Sequence, residues 1–231
     1  MFLIFDTETT GLPKKWGAPL TDFENWPRAI QVAWQVHDLS GKCISNQSYI
    51  VYPDGFSIPY DSEKIHGIST QLGKKIGVEI SFVLDKFHED LKRSKFICGH
   101  NLNFDEKILG SEYLRSTGAN PLQDFPKIDT CTEETAGICM LTGGRGRKFK
   151  LPTLMELYKH LFNEKFESAH NASADVEATA LCLFNLLKEK KIHPSSLINN
   201  NEILDELTKL DLSKVIVPDI NHIDLFEESR K

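Results

Sequence analysis

Phe2-Leu3-Ile4-Phe5-Asp6-Thr7-Glu8 opens the chain, and its reading decides the fold. Four apolar residues run without a break into two acids. A short continuous apolar run reads as a buried strand, and the polar residues after it mark the strand's end. Residues two apart on a strand point to the same face, so Asp6 and Glu8 lie side by side. Neighbouring carboxylates repel, and the end of an apolar strand is a costly place for them unless a cation sits between them. Oxygen-only ligands suit Mg²⁺ or Mn²⁺ rather than zinc. From these two residues alone, a solvated pair of acids at a strand end explains the pattern equally well.

Working outward, Ile30–His37 and Ser48–Tyr52 are further strands, rich in Ile, Val and aromatics, with a turn at Ser40-Gly41-Lys42. Ile80, Val83, Leu84, Phe87 and Leu91 recur at helical spacing. Phe96–Cys98 is a short strand; the loop Gly99–Asn103 follows, and Asn103 suits the N-cap of the next helix. Asp129 ends another short apolar stretch. Residues 153–162 look helical, and 173–190 form the clearest helix, with Val176, Ala180, Leu183, Phe184 and Leu187 on one face. Three early strands followed by alternating helices and strands indicate a mixed-sheet α/β domain. Beyond Lys191, His193-Pro194-Ser195-Ser196 and Asn199–Asn201 break the helix. Residues 1–191 therefore read as one domain, and 192–231 as an extension or tail with a short helix at 202–210.

The formal net charge of −6 argues against a protein that coats nucleic acid through bulk positive charge. It does not argue against an enzyme that grips a strand end, where bound metal supplies the positive charge. The five cysteines are odd in number and scattered, the pattern of reduced thiols in a cytoplasmic protein. The run Phe2–Phe5 is too short for a signal peptide, and no stretch approaches the ~18 apolar residues of a membrane span.

Two later acids add to the first pair. Asp105 lies in His100-Asn101-Leu102-Asn103-Phe104-Asp105, at the expected start of a helix. Asp175 lies in the first turn of the strongest helix, where the helix dipole tolerates an anion. His170 stands five residues earlier, in the loop leading to that helix, close enough to titrate in a shared site. Singly, each is commonly a helix-start acid or a surface histidine.

Together they carry a resemblance. Phe5-Asp6-Thr7-Glu8-Thr9-Thr10-Gly11-Leu12 resembles the first exonuclease motif of the DEDD superfamily. His100–Asp105 resembles the second, and His170-Asn171-Ala172-Ser173-Ala174-Asp175 the third, in the histidine-bearing DEDDh branch. His66-Gly67-Ile68 matches a further block of that family. The branch includes the proofreading epsilon subunit of bacterial DNA polymerase III, ribonuclease T and oligoribonuclease. The likeness covers residues 1–190 and not the tail.

The resemblance implies a ribonuclease H-like fold, a five-stranded mixed sheet flanked by helices. It implies a 3′→5′ exonuclease that uses two Mg²⁺ ions, with Mn²⁺ as a substitute, and releases nucleoside 5′-monophosphates. Asp6 bridges the ions, Glu8 and Asp175 complete the first site, Asp105 helps hold the second through water, and His170 is the general base. Thr9, Gly11, Leu12 and His66 meet the terminal nucleotide. Two metals can clamp a scissile phosphate, and a histidine with an ordinary pKa of ~6.5 can take a proton from the attacking water. The expected partner is a single-stranded or frayed 3′ end, DNA favoured over RNA; an RNA 3′-end trimmer or oligoribonuclease is the alternative.

Three segments lie outside this core reading. Residues 13–28 carry Lys14, Lys15, Trp16 and Trp26, which suit either base stacking or cover for a sheet edge. Arg145, Arg147, Lys148 and Lys150 form the densest basic patch, a candidate backbone contact or a solvated loop. His222-Ile223-Asp224-Leu225-Phe226 resembles the bacterial sliding-clamp-binding motif, with His222 where glutamine is usual. An exposed Leu-Phe pair is an apolar anchor.

Overall fold

A computed structural model describes residues 1–144, 146, 148–166, 171–197 and 200–215. Five strands form one sheet: β1 (Phe2–Thr9), β2 (Ala29–His37), β3 (Cys43–Ile50), β4 (Phe96–Gly99) and β5 (Lys127–Asp129), in the order β3-β2-β1-β4-β5. β1 pairs antiparallel with β2 and parallel with β4; β2–β3 is antiparallel and β4–β5 parallel. This is the mixed five-stranded ribonuclease H-like sheet that the sequence led us to expect. Eight helices surround it among the described residues: α1 (Tyr60–His66), α2 (Thr70–Ile76), α3 (Ile80–Arg93), α4 (Leu102–Thr117), α5 (Glu133–Cys139), α6 (Leu154–Phe162), α7 (Ala172–Lys188) and α8 (Asn201–Thr208). No described helix is long and apolar enough to cross a membrane.

The alternation along β1 divides the core in two. Phe2 and Ile4 face one cluster, with Ala33, Cys98, Ile128 and the apolar face of α7. Leu3 and Phe5 face the other, with Trp34, Val36, Phe87, Ile97 and Ile108 from β2, α3, β4 and α4. Both faces of the strand are covered, which is why its apolar run is continuous rather than alternating.

Helices α1, α2 and α5 were not foreseen from periodicity. Each is seven residues long and too short for a helical stripe. The expected cap at Asn103 is corrected: α4 begins two residues earlier, and Asn101 is its N-cap in the left-handed region, φ 63°. The Asn101 side chain makes no capping bond. Asp129 does the work from β5, its carboxylate accepting the Asn101 and Leu102 N–H groups at 2.8 and 3.0 Å.

Residues after Lys191 share the first core. Ile192, Leu197, Ile203, Leu207, Leu210 and Val215 are buried in the cluster beneath α7. At the β2–β3 turn, Gly41 has φ +82°, and a side chain there would meet Val215 and Leu210 at 3.0 and 3.1 Å. The turn thus requires glycine for conformation and for the close approach of the C-terminal segment.

Candidate active site

The site lies where β1 outlasts its neighbour. β4 pairs with β1 only along Phe2–Ile4, so beyond Phe5 that edge of β1 is open. The crevice beyond the carboxyl ends of adjacent parallel strands is the usual ligand position in such sheets. Asp6 and Glu8 stand on the α7 face, opposite Ala33 and Gln31 of β2. Thr7 points to the other face and meets α4.

Helix α7 brings the third carboxylate. Asn171 caps it, accepting the Ser173 N–H at 3.0 Å, and Asp175 lies in the first turn. Gln31 fixes this end of the helix to the sheet: its Oε1 accepts the Ala172 N–H at 3.3 Å, and its Nε2 donates to Ser48 Oγ at 3.1 Å. Gln31 is also the cross-strand partner of Glu8. As a result, one oxygen each from Asp6, Glu8 and Asp175 lie within 4.8 Å of one another.

Asp105 joins from α4 in a different state. Its Oδ1 accepts the Thr7 N–H at 3.0 Å and the Thr7 hydroxyl at 2.6 Å. The open edge of β1 thus donates a backbone N–H that the missing stretch of β4 leaves free. Asp105 is held beside the trio rather than within it. The helix start that carries it is locked twice, by Asp129 and by His100. Only an N–H can face the Pro152 carbonyl, so His100 Nε2 donates to it at 3.0 Å and Nδ1 accepts from Thr130 Oγ1 at 2.9 Å. Burial pushes His100 down to about 4, which keeps this clamp neutral.

Electrostatics separates the trio from an ordinary surface cluster. Burial drives the Asp6 pKa well above the carboxylate range, and the charges of Asp105, Asp175 and Glu8 drive it further. Burial and the charges of Asp175 and Asp105 push Glu8 up to about 8. Burial also raises Asp105, against the lowering effect of its Thr7 bonds. Among the described residues, the charges that raise Asp6 and Glu8 are carboxylates. A divalent cation is the partner this arrangement fits: three oxygen donors converge, and bringing in positive charge relieves the repulsion.

The remaining expected residues divide. Thr9 ends β1; its hydroxyl donates to the Gly11 carbonyl at 2.7 Å. Gly11 has φ +141°, a backbone state that side chains rarely adopt, although a Cβ there would meet only Ser62 Oγ at an ordinary 3.9 Å. Leu12 is 73% exposed at the end of this turn. His66, at the end of α1, accepts the Ile68 N–H on Nδ1 at 3.1 Å, and its ring faces the Thr9 carbonyl without closing a full hydrogen bond. Lys150 is bound to Glu156 at 2.6 Å, which removes it from the basic patch. His170, Arg145, Arg147 and His222–Phe226 lie outside the described residues.

Thr7, Gln31 and Asp129 were missed as site-building residues. A signal existed for Gln31, one of two polar residues, with Gln35, in the otherwise apolar Ala29–Val36, because a buried polar residue is more informative than the apolar residues around it. No local pattern reveals that Asp129 caps a helix 28 residues away.

A family model described as exonuclease, of the RNase T type, matches residues 3–183. The chain belongs to this exonuclease family. The acidic cluster falls inside the matched segment. A PolC-type DNA polymerase III from Lacticaseibacillus paracasei is 28% identical over 190 residues, which is 81% of this chain and 11% of that polymerase. Exonuclease I of E. coli, solved in a zinc-bound complex with single-stranded DNA, superposes with a TM-score of 0.61 at 22% identity, over 90% of this chain and 42% of that one. Exonuclease X, solved with 5′-overhanging duplex DNA, gives 0.51 at 18% identity, over 90% of this chain and 99% of that one. At these identities the two solved structures speak for the fold. The chain spans a small fraction of the polymerase and less than half of exonuclease I.

Proposed function

We propose that this exonuclease hydrolyses the 3′-terminal phosphodiester of single-stranded or frayed DNA, in proofreading or repair, by the DEDDh mechanism. The observation that carries the reading is the convergence of Asp6, Glu8 and Asp175 within 4.8 Å at the open end of β1. Asp6, Glu8 and Asp175 would hold one Mg²⁺, with Asp105 helping to hold a second; Mn²⁺ would serve in either place. When bound, the ions neutralise the scissile phosphate and acidify the attacking water.

The chain's own residues supply the rest. His170, one residue before the Asn171 cap, takes the proton from the attacking water. Backbone groups of Thr9 and Gly11 hold the 3′-terminal nucleotide, and the exposed Leu12 side chain lies against its base. His66, packed on Thr9, lines the same end. Thr7 keeps Asp105 oriented, and Gln31 keeps Asp175 at its distance from Glu8.

DNA is favoured because the relatives above include a DNA polymerase and exonucleases solved with DNA. We assign residues 1–191 as the catalytic domain and 192–231 as an extension, with His222–Phe226 as a docking segment for a sliding clamp. The five free cysteines suit the cytoplasm. A Mg²⁺-dependent digestion series tests the reading, on 5′-labelled single-stranded DNA, mismatched duplex, long RNA and RNA dinucleotides. A DNA ladder that shortens from the 3′ end supports it; internal cuts reject it, and faster loss of RNA moves the substrate to RNA.

A further inference from the structure

The connection between β1 and β2 is tied down along its length yet leaves a tryptophan in solvent. Trp26 is its buried anchor, 2% exposed, with Nε1 donating to the Pro19 carbonyl at 3.1 Å. Asn25 closes the loop on itself: the Lys15 N–H donates to its Oδ1 at 2.7 Å, and its Nδ2 donates to the Lys15 carbonyl at 3.0 Å. Helix α4 grips the outer turn. Ser111 Oγ donates to the Leu20 carbonyl at 3.2 Å, and Arg115 donates to the carbonyls of Phe23 and Trp26, each at 2.8 Å. Lys107 Nζ reaches the Trp16 carbonyl at 3.4 Å.

Against this fixed backing Trp16 is 47% exposed, its ring 5.8 Å from that of Phe104. Phe104 directly precedes Asp105 in the first turn of α4, and Lys107 lies one turn further on. The ring pair is thus carried by the same first turn of α4 that carries Asp105. A large aromatic ring in water forfeits burial energy, and a ring held in place meets a partner at little ordering cost. The adjacent amine selects an anionic partner, and an unpaired nucleotide combines a stackable face with a phosphate.

We propose that Trp16, with Phe104 and Lys107, forms a stacking subsite for an unpaired base upstream of the 3′-terminal nucleotide, with Lys107 supplying charge for its phosphate. This rests on the exonuclease reading above and extends it from the strand end to the strand behind it. Stacking of this kind is tolerant of sequence, so the subsite confers grip on length rather than choice of base.

The test is equilibrium binding of 5′-fluorescein-labelled dT12 in Ca²⁺, with unlabelled dT2 as competitor. Trp16→Ala weakens dT12 about tenfold, Trp16→Phe recovers most of that loss, and the loss for dT2 is several-fold smaller. Lys107→Gln lowers the slope of log affinity against log salt by about 1. Phe23→Ala, on the same loop but outside the ring pair, keeps wild-type affinity. Unchanged dT12 affinity in Trp16→Ala, or equal losses for dT12 and dT2, overturns the subsite. Wild-type hydrolysis of dT12 in Mg²⁺ is followed separately; its absence overturns the exonuclease reading, while the binding series alone decides the subsite.

Discussion

The two halves of β1 share one strand and one sheet but obey different rules. Phe2–Phe5 is packed on both faces, and every side chain there is buried among apolar partners. Asp6–Glu8 continues in the same register against β2, which shifts only at Thr9, yet sets two acids where a third arrives from α7 and a fourth from α4. The first half is built for stability. The second works against it: the carboxylates raise one another's pKa and sit where burial penalises charge. A fold that tolerates this conflict at one strand end, and nowhere else along the strand, marks that end as the candidate active site.

The sharpest break between the halves is in activity. Asp6→Asn is expected to lower kcat roughly 10³-fold or more, since it removes a carboxylate worth several kcal/mol of charge stabilisation, while the circular dichroism spectrum stays native. Phe5→Ala should do the reverse, costing about 3–5 kcal/mol of stability by denaturant titration. The folded fraction keeps its turnover. If Phe5→Ala and Asp6→Asn shifted stability and activity alike, the division would fail. Thr7→Val takes one donor from buried Asp105, and a drop of about 1.5–3 kcal/mol is expected. Chevron or melt data can place it between the other two variants.

A pH series sharpens the same contrast. Glu8 is raised from an ordinary value near 4.5 up to about 8 in the fold. A raised folded-state pKa contributes stability that is present below the unfolded value and is lost as pH rises through the folded one. Metal-free protein should therefore lose stability progressively between about pH 4.5 and pH 8. Glu8→Gln, which cannot ionise, should flatten that part of the curve.

Much of the first half of β1 was legible because continuous apolar residues have few other readings, and two acids at a spacing of two fall on one face by geometry alone. The helical stripes of α3 and α7 were legible for the same periodic reason. What escaped was non-local or short. Helix α2 is seven residues with Gly73 pressed close to Pro53, and nothing in its pattern separates it from a loop. The start of α4 was misplaced because its cap, Asp129, arrives from β5. Residues 192–231 read as an appendage because Pro and Asn interrupt the helix, although among the described ones Leu197, Leu207 and Val215 return to the core. Within the site, acids carried a signal in type and spacing, whereas Thr7 and Gln31 act through partners that only the folded chain supplies.

Thermal unfolding at pH 8 tests most directly whether the acids are held for a cation, with wild type and the Asp6→Asn/Glu8→Gln double variant each measured with and without Mn²⁺. The metal-free double variant should melt above metal-free wild type, and Mn²⁺ should raise the wild-type midpoint but leave the variant's unmoved. A double variant that melts below wild type without metal, or a wild type indifferent to Mn²⁺, would contradict it.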